Sequence, residues 1–142
     1  MRKKQILKVG NGKLRIVTKS LALIMILGMI GVGSVNAAGN ISDTTYQFSS
    51  TSQNCHVTET RDKRDTTSSY IYHERDVAVY VEVCSYGINY TAGSGRYLVQ
   101  PGNSQYLYNY VKENGRDNCY LRIYSTTNRA VTLKGKWSPD SV

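Results

Sequence analysis

The residues with chemistry to offer are three cysteines, Cys55, Cys84 and Cys119, and two histidines, His56 and His73. Cys55 and His56 are adjacent, which raises the idea of a thiol nucleophile with its base, or of two metal ligands completed by His73. Neighbours on an extended chain point to opposite sides, so this thiol and this imidazole cannot meet. His73 sits in YIYHERD, where His73, Glu74, Arg75 and Asp76 read as a charged turn between strands. No His/Cys spacing of a metal site occurs. GINYTAGSG is glycine-rich but neither follows a strand nor opens a helix, so it is no phosphate cradle. The sequence therefore predicts no catalytic residue, no metal and no cofactor.

The elements that position these groups begin after a leader. MRKKQILKVGNGKLRIVTKS carries seven Lys and Arg and no acid, and LALIMILGMIGVGSV follows, an apolar run ending near Val35 and Ala37. Charge, apolar run and small residues in that order predict a helical signal peptide over residues 1–37, cleaved after Ala37. The run is shorter than the roughly 20 residues of a spanning helix, and Gly28, Gly31 and Gly33 loosen its end. A retained anchor is the alternative, and no stable membrane span is expected after cleavage. Eleven of the 18 Lys and Arg lie downstream, against all ten acids, so the mature chain is close to neutral at +1. The basic charge belongs to the leader. No basic stripe remains for nucleic acid, and that class is set aside.

Residues 38–142 suffice for one domain, and their hydrophobic pattern has period two. In VAVYVEVCS, Val77, Val79, Val81 and Val83 share one face and Ala78, Tyr80, Glu82 and Cys84 the other, the mark of a half-buried antiparallel strand. CYLRIYS repeats it with Cys119, Leu121 and Ile123 inside, and AVTLKGKW with Val131, Leu133 and Trp137 inside. TYQFSS and SSYIYH read as two further strands. Pro101-Gly102 fits a type II turn. Asn114-Gly115 fits a two-residue type I′ hairpin that pairs Glu113 with Arg116 and Lys112 with Asp117, and places Tyr106, Tyr108 and Tyr110 on the face of Cys119, Leu121 and Ile123. Pro139 is placed to end the last strand, with Ser138 and Asp140 capping local backbone. The expected fold is all-β, a small antiparallel sandwich or flattened barrel of six to seven strands.

Strand phase bears on the cysteines, since an exported chain meets oxidising conditions. Three thiols cannot all pair within one chain. With Cys119 on the apolar face, a Cys55–Cys84 disulfide leaves Cys119 buried and inert; Cys84–Cys119 is the alternative, because one bulge reverses a face. Two surfaces are candidates for binding. ETRDKRD places Arg61, Lys63 and Arg64 in a loop suited to an anionic polymer or headgroup, or else solvated with internal ion pairs. The twelve tyrosines are either an exposed recognition surface, with Tyr80, Tyr120 and Tyr124 as the outward set, or filler for a core with wet edges.

RDKRDTTSSY (61–70), NYVKENG (109–115) and the terminal GKWSPDSV together resemble a family of small secreted proteins of Gram-positive bacteria known as a domain of unknown function. The resemblance implies secretion and a compact β domain and brings no activity with it. A remoter similarity, of architecture only, is to secreted β-sandwich bacteriocins of the lactococcin 972 type. The sequence thus points to an exported, non-enzymatic protein that works by binding an extracellular protein, a lipid headgroup or a cell-wall glycan. A bacteriocin-like action on a competitor's envelope is its most concrete form, with a wall- or glycan-associated module as the alternative and a secreted enzyme as the third.

The leader reading is checked by intact mass: secreted material should begin at Ala38, or at Gly39 if cleavage slips by one residue. A secreted product still carrying Leu21 to Val35 would contradict it.

Overall fold

The computed structural model of the protein describes residues 38–142; the expected signal helix and its cleavage site lie outside the described residues. Ten strands follow one another: β1 (Thr44–Ser50), β2 (Cys55–Val57), β3 (Arg61–Asp62), β4 (Ser69–His73), β5 (Val79–Ser85), β6 (Ile88–Asn89), β7 (Tyr97–Val99), β8 (Asn103–Leu107), β9 (Asn118–Ser125) and β10 (Val131–Ser138). They form two antiparallel sheets. The first has the order β1-β10-β4-β8, and the second β2-β9-β5-β6, with β3 also pairing β9 and β7 also pairing β5. Ten strands stand where six or seven were expected, because each flank of the β9–β5 pair is covered by two short strands in succession.

The period-two residues meet between the sheets. Ile71, Leu133 and Trp137 from the first sheet and Val79, Val81, Val83, Cys119, Leu121 and Ile123 from the second join one buried cluster. Packing is close at Gly135, which the register sets beside Tyr46 of β1 and His73 of β4. A Cβ there would run into the Tyr72 carbonyl and come within 2.7 Å of the Tyr46 hydroxyl, so only glycine lets the aromatic ring cross the strand. Pro101-Gly102 forms the expected type II turn. Gly102 has φ +77°, and Asn103 N donates to Gln100 O at 3.2 Å, carrying the chain from β7 in one sheet to β8 in the other.

The expected Asn114-Gly115 hairpin is not formed. β8 pairs with β4 rather than β9, and only Gly115 of the two turn residues has positive φ, whereas a type I′ turn needs both. Asn114 N donates to Tyr110 O and Arg116 N to Val111 O, which coils the segment, while Lys112 and Asp117 still meet as an ion pair at 2.5 Å. The competing force is aliphatic burial. Leu107 and Val111 share a phase with Asn109, and all three are buried, which turns Tyr106, Tyr108 and Tyr110 outward. The chain must then cross between sheets before β9, and two residues are too few for that.

Trp137 is fully buried, in phase with Leu133 as its alternation predicts, and the Arg61 guanidinium lies 5.6 Å from its ring centroid. Asp140 does more than cap local backbone. Its Oδ1 lies 2.6 Å from Lys63 Nζ, both side chains are wholly buried, and its Oδ2 accepts the amides of Asn40 (2.6 Å) and Arg64 (3.0 Å). Lys63 Nζ spends its other protons on Thr67 O and Pro139 O. Burial alone would raise the Asp140 pKa, but the bonds from Lys63 and the two amides outweigh it and hold the carboxyl below its ordinary value. Removing one partner of such a pair strands the other charge. Asp140→Asn should cost about 3–5 kcal/mol in chemical denaturation, and adding Lys63→Met should recover part of the loss. A double variant no more stable than Asp140→Asn would show that the stranded ammonium is not the cause.

Candidate functional site

The thiols and imidazoles are held apart by the ladder. Cys55 stands opposite Tyr124 on β9 and Cys84 opposite Tyr120, four residues away along β9 and on its other side. At roughly 3.3 Å per residue and 4.8 Å per strand their Cα atoms lie well beyond the ~7 Å a disulfide can span. The expected Cys55–Cys84 bridge is therefore absent and all three cysteines are free. The Cys84–Cys119 alternative fails too, since Cys119 faces the core and Cys84 the outer side of its sheet. Burial pushes the Cys84 thiol up to about 11 and the Cys119 thiol up to about 12, so both stay protonated at neutral pH.

His73 is also corrected, from a charged turn to the buried end of β4. Its Nε2 donates to Val77 O at 2.7 Å, leaving Nδ1 to accept the Tyr46 hydroxyl at 2.9 Å, so both nitrogens are occupied. Desolvation lowers its pKa. Among the described residues no three His, Cys, Asp or Glu side chains gather as metal ligands would.

Of the basic loop, two of the three cations turn inward, because β3 docks beside β9 and draws them under the C-terminal segment. Lys63 is the buried partner of Asp140 and no part of a surface. Arg61 donates to Ser42 O (2.8 Å), Trp137 O (3.2 Å) and Asn40 Oδ1 (3.2 Å) while covering the Trp137 ring, so its donors serve the fold. Arg64 is exposed.

The outer face of the second sheet holds the other expected residues. Tyr80 and Tyr124 are cross-strand partners, and the guanidinium of Arg96, just before β7, lies 5.4 and 5.8 Å from their ring centroids. A cleft of about 280 Å³ opens beside them, with Gln53 and Ser125 on its wall. Beneath it Tyr124 donates to Glu82 Oε2 at 3.2 Å, and Arg122 approaches the same oxygen at 3.9 Å. Burial, then Cys55 and Glu82, raise the Tyr124 pKa, so its hydroxyl remains a neutral donor. Tyr120 is not brought into this cluster. Its hydroxyl accepts Gly87 N at 3.1 Å, bracing the β5–β6 turn.

Further aromatic surface lies on β8 of the first sheet and just past its end, where Ala92 N donates to Tyr108 O and Tyr110 N to Tyr90 O. Tyr106, Tyr108 and Tyr110 are 48%, 62% and 55% exposed, and Tyr106 meets its ladder partner Tyr70 at 5.8 Å between centroids, tilted by 57°. A groove of about 350 Å³ runs beside this pair, with Ile41, Asp43, Ser138 and Ser141 along its sides. Asp43 is held by Lys136 at 2.8 Å. The expected hairpin placed these tyrosines on the face of Cys119, Leu121 and Ile123, partly buried. The signal that could have found them is the phase of Leu107 and Val111, which compete for the same inner face. Arg96 carried no sequence signal, since its partners come from β5 and β9.

With no bridge, an alkylating agent should label one thiol per chain in the native protein, the exposed Cys55, and three after denaturation without reductant. One labelled thiol after denaturation would mean that a disulfide forms after all.

No curated protein and no solved structure matches the chain. The family described as "Protein of unknown function (DUF2712)" matches residues 33–141, which takes in every strand of both sheets. The chain belongs to this family.

Proposed function

We propose that the protein is an exported, non-enzymatic binding protein of a bacterial envelope, and that it recognises a glycan of that envelope through the Tyr70–Tyr106 groove. The observation that carries this reading is the tilted Tyr70–Tyr106 pair beside the groove, with Tyr106 48% exposed; Tyr108 and Tyr110, 62% and 55% exposed, extend the bare aromatic surface beyond it. A ring of this kind offers an apolar face to the C–H surface of a sugar and a hydroxyl to its polar edge. Asp43 and Ser141 add polar groups along the same groove. Protonated Cys84 and Cys119 and a doubly bonded His73 are poor nucleophiles and bases, which favours binding over catalysis.

One observation favours the bacteriocin-like form of this reading. The β5–β6 turn projects Tyr86, 68% exposed, and Ile88, half exposed. Tyr86 is held at φ +46°, a conformation costly for a bulky residue. Arg116 covers its ring at 5.1 Å, and Arg122 donates to Gly87 O at 3.0 Å. A braced aromatic tip flanked by two cations suits contact with a competitor's envelope.

The test is retention of the purified protein on isolated bacterial cell wall. Replacing Tyr106 by Ala should weaken retention about 10-fold or more, roughly 1.4 kcal/mol, while Tm stays within about 3 °C because the residue is 48% exposed. Unchanged retention would overturn the groove. Growth inhibition of related strains that disappears in Tyr86→Ala would assign the antimicrobial form, and retention without inhibition the wall-associated module.

A further inference from the structure

The Arg96 cleft on the second sheet is a different kind of site from the tyrosine groove. Among the described residues the Arg96 guanidinium enters no ion pair, although it is exposed and fixed over two rings. The guanidinium covers the faces of Tyr80 and Tyr124, so those rings are not platforms for a sugar. They act as a rest for the guanidinium where it lines the cleft. A planar fork held in this way is matched by two oxygens of one anionic group.

The charges around the cleft narrow the anion. Glu82 is almost fully buried beneath Tyr124, with Arg122 3.9 Å from its carboxylate, so Arg96, Arg122 and Glu82 together carry one net positive charge. That balance suits a monoanion and disfavours a dianion, whose second charge would face Glu82 across the Tyr124 hydroxyl. The walls narrow it further. Tyr80 lines the cleft, and its ladder partner Leu98, exposed just outside it and two residues from Arg96, leaves apolar surface next to the site. An anionic group bearing an organic arm on each side fits this arrangement better than a small carboxylate.

We propose that Arg96, seated on Tyr80 and Tyr124, forms a binding site for a phosphodiester monoanion. The diester's two unesterified oxygens accept N–H bonds from Arg96, and its organic arms lie against Leu98 and the edge of the Tyr80 ring that the guanidinium leaves exposed. A lipid headgroup and a phosphate-linked polymer share this chemistry. The site stands independently of the glycan groove on the opposite sheet.

The experiment is an NMR titration of the purified protein with dimethyl phosphate, with acetate as competitor, followed by sedimentation with phosphatidylglycerol vesicles. Saturable shifts of the Tyr80 and Tyr124 ring signals are expected, with a Kd on the order of millimolar. Arg96→Ala should weaken binding at least about 10-fold, and Arg96→Lys about 5-fold, since an ammonium cannot form the fork. Arg96 is exposed, so both variants should keep the native Tm within about 3 °C. Tyr80→Phe should retain binding, because the ring and not its hydroxyl supports the guanidinium. Vesicle binding lost in Arg96→Ala would identify a headgroup as the source, and response to dimethyl phosphate without vesicle binding would identify a soluble or polymeric diester. No saturable shift, binding unchanged in Arg96→Ala, or tighter binding of acetate than of dimethyl phosphate would overturn the assignment.

Discussion

The buried ion pair between Lys63 and Asp140 is the interaction on which the rest of this structure depends. Lys63 follows β3, which pairs with β9 of the second sheet, and Asp140 follows β10 of the first, so one contact ties the two sheets together at their rim. Taking two charges out of water costs several kcal/mol each, and the pair is tolerable only when every remaining proton and lone pair is used. Here Thr67 O and Pro139 O take the other Lys63 protons, and the Asn40 and Arg64 amides reach the second carboxylate oxygen. The same contact closes the shell around Trp137, whose ring lies under Arg61 two residues before Lys63. A terminal Trp-Ser-Pro-Asp run that could pass for a binding tip is instead the lock of the sandwich.

Closing the sandwich this way settles what the tyrosines can do. The inner faces fill mainly with Val, Leu and Ile around Trp137, and Tyr46 enters because the glycine beside it makes room and His73 accepts its hydroxyl. The outward tyrosines divide by what covers them. On the second sheet Arg96 and Arg116 lie over Tyr80, Tyr124 and Tyr86, converting rings into supports for cations. On the first sheet the nearby cation Lys136 is drawn to Asp43, leaving Tyr106 bare. The two faces thus carry different chemistry although both are rich in the same residue.

The alternation in VAVYVEVCS, CYLRIYS and AVTLKGKW determined the all-β class, the inner faces of β5, β9 and β10 and the burial of Trp137, because a strand's side chains alternate whatever it pairs with. Pro101-Gly102 determined its own turn for an equally local reason, a fixed φ followed by a positive one. Pairing partners were decided only in three dimensions. NYVKENGRDNCY has the local chemistry of a hairpin, yet the aliphatic demand of Leu107 and Val111 sends β8 to β4 and turns three tyrosines from the inner face outward. The same holds for Lys63, which looks like a loop cation until Asp140, 77 residues away, turns it inward, and for Arg96, which acquires its setting from rings on two other strands. Alternation is a property of one strand and can be read along the chain; a charge or a ring takes its role from distant residues, and those are supplied by the fold.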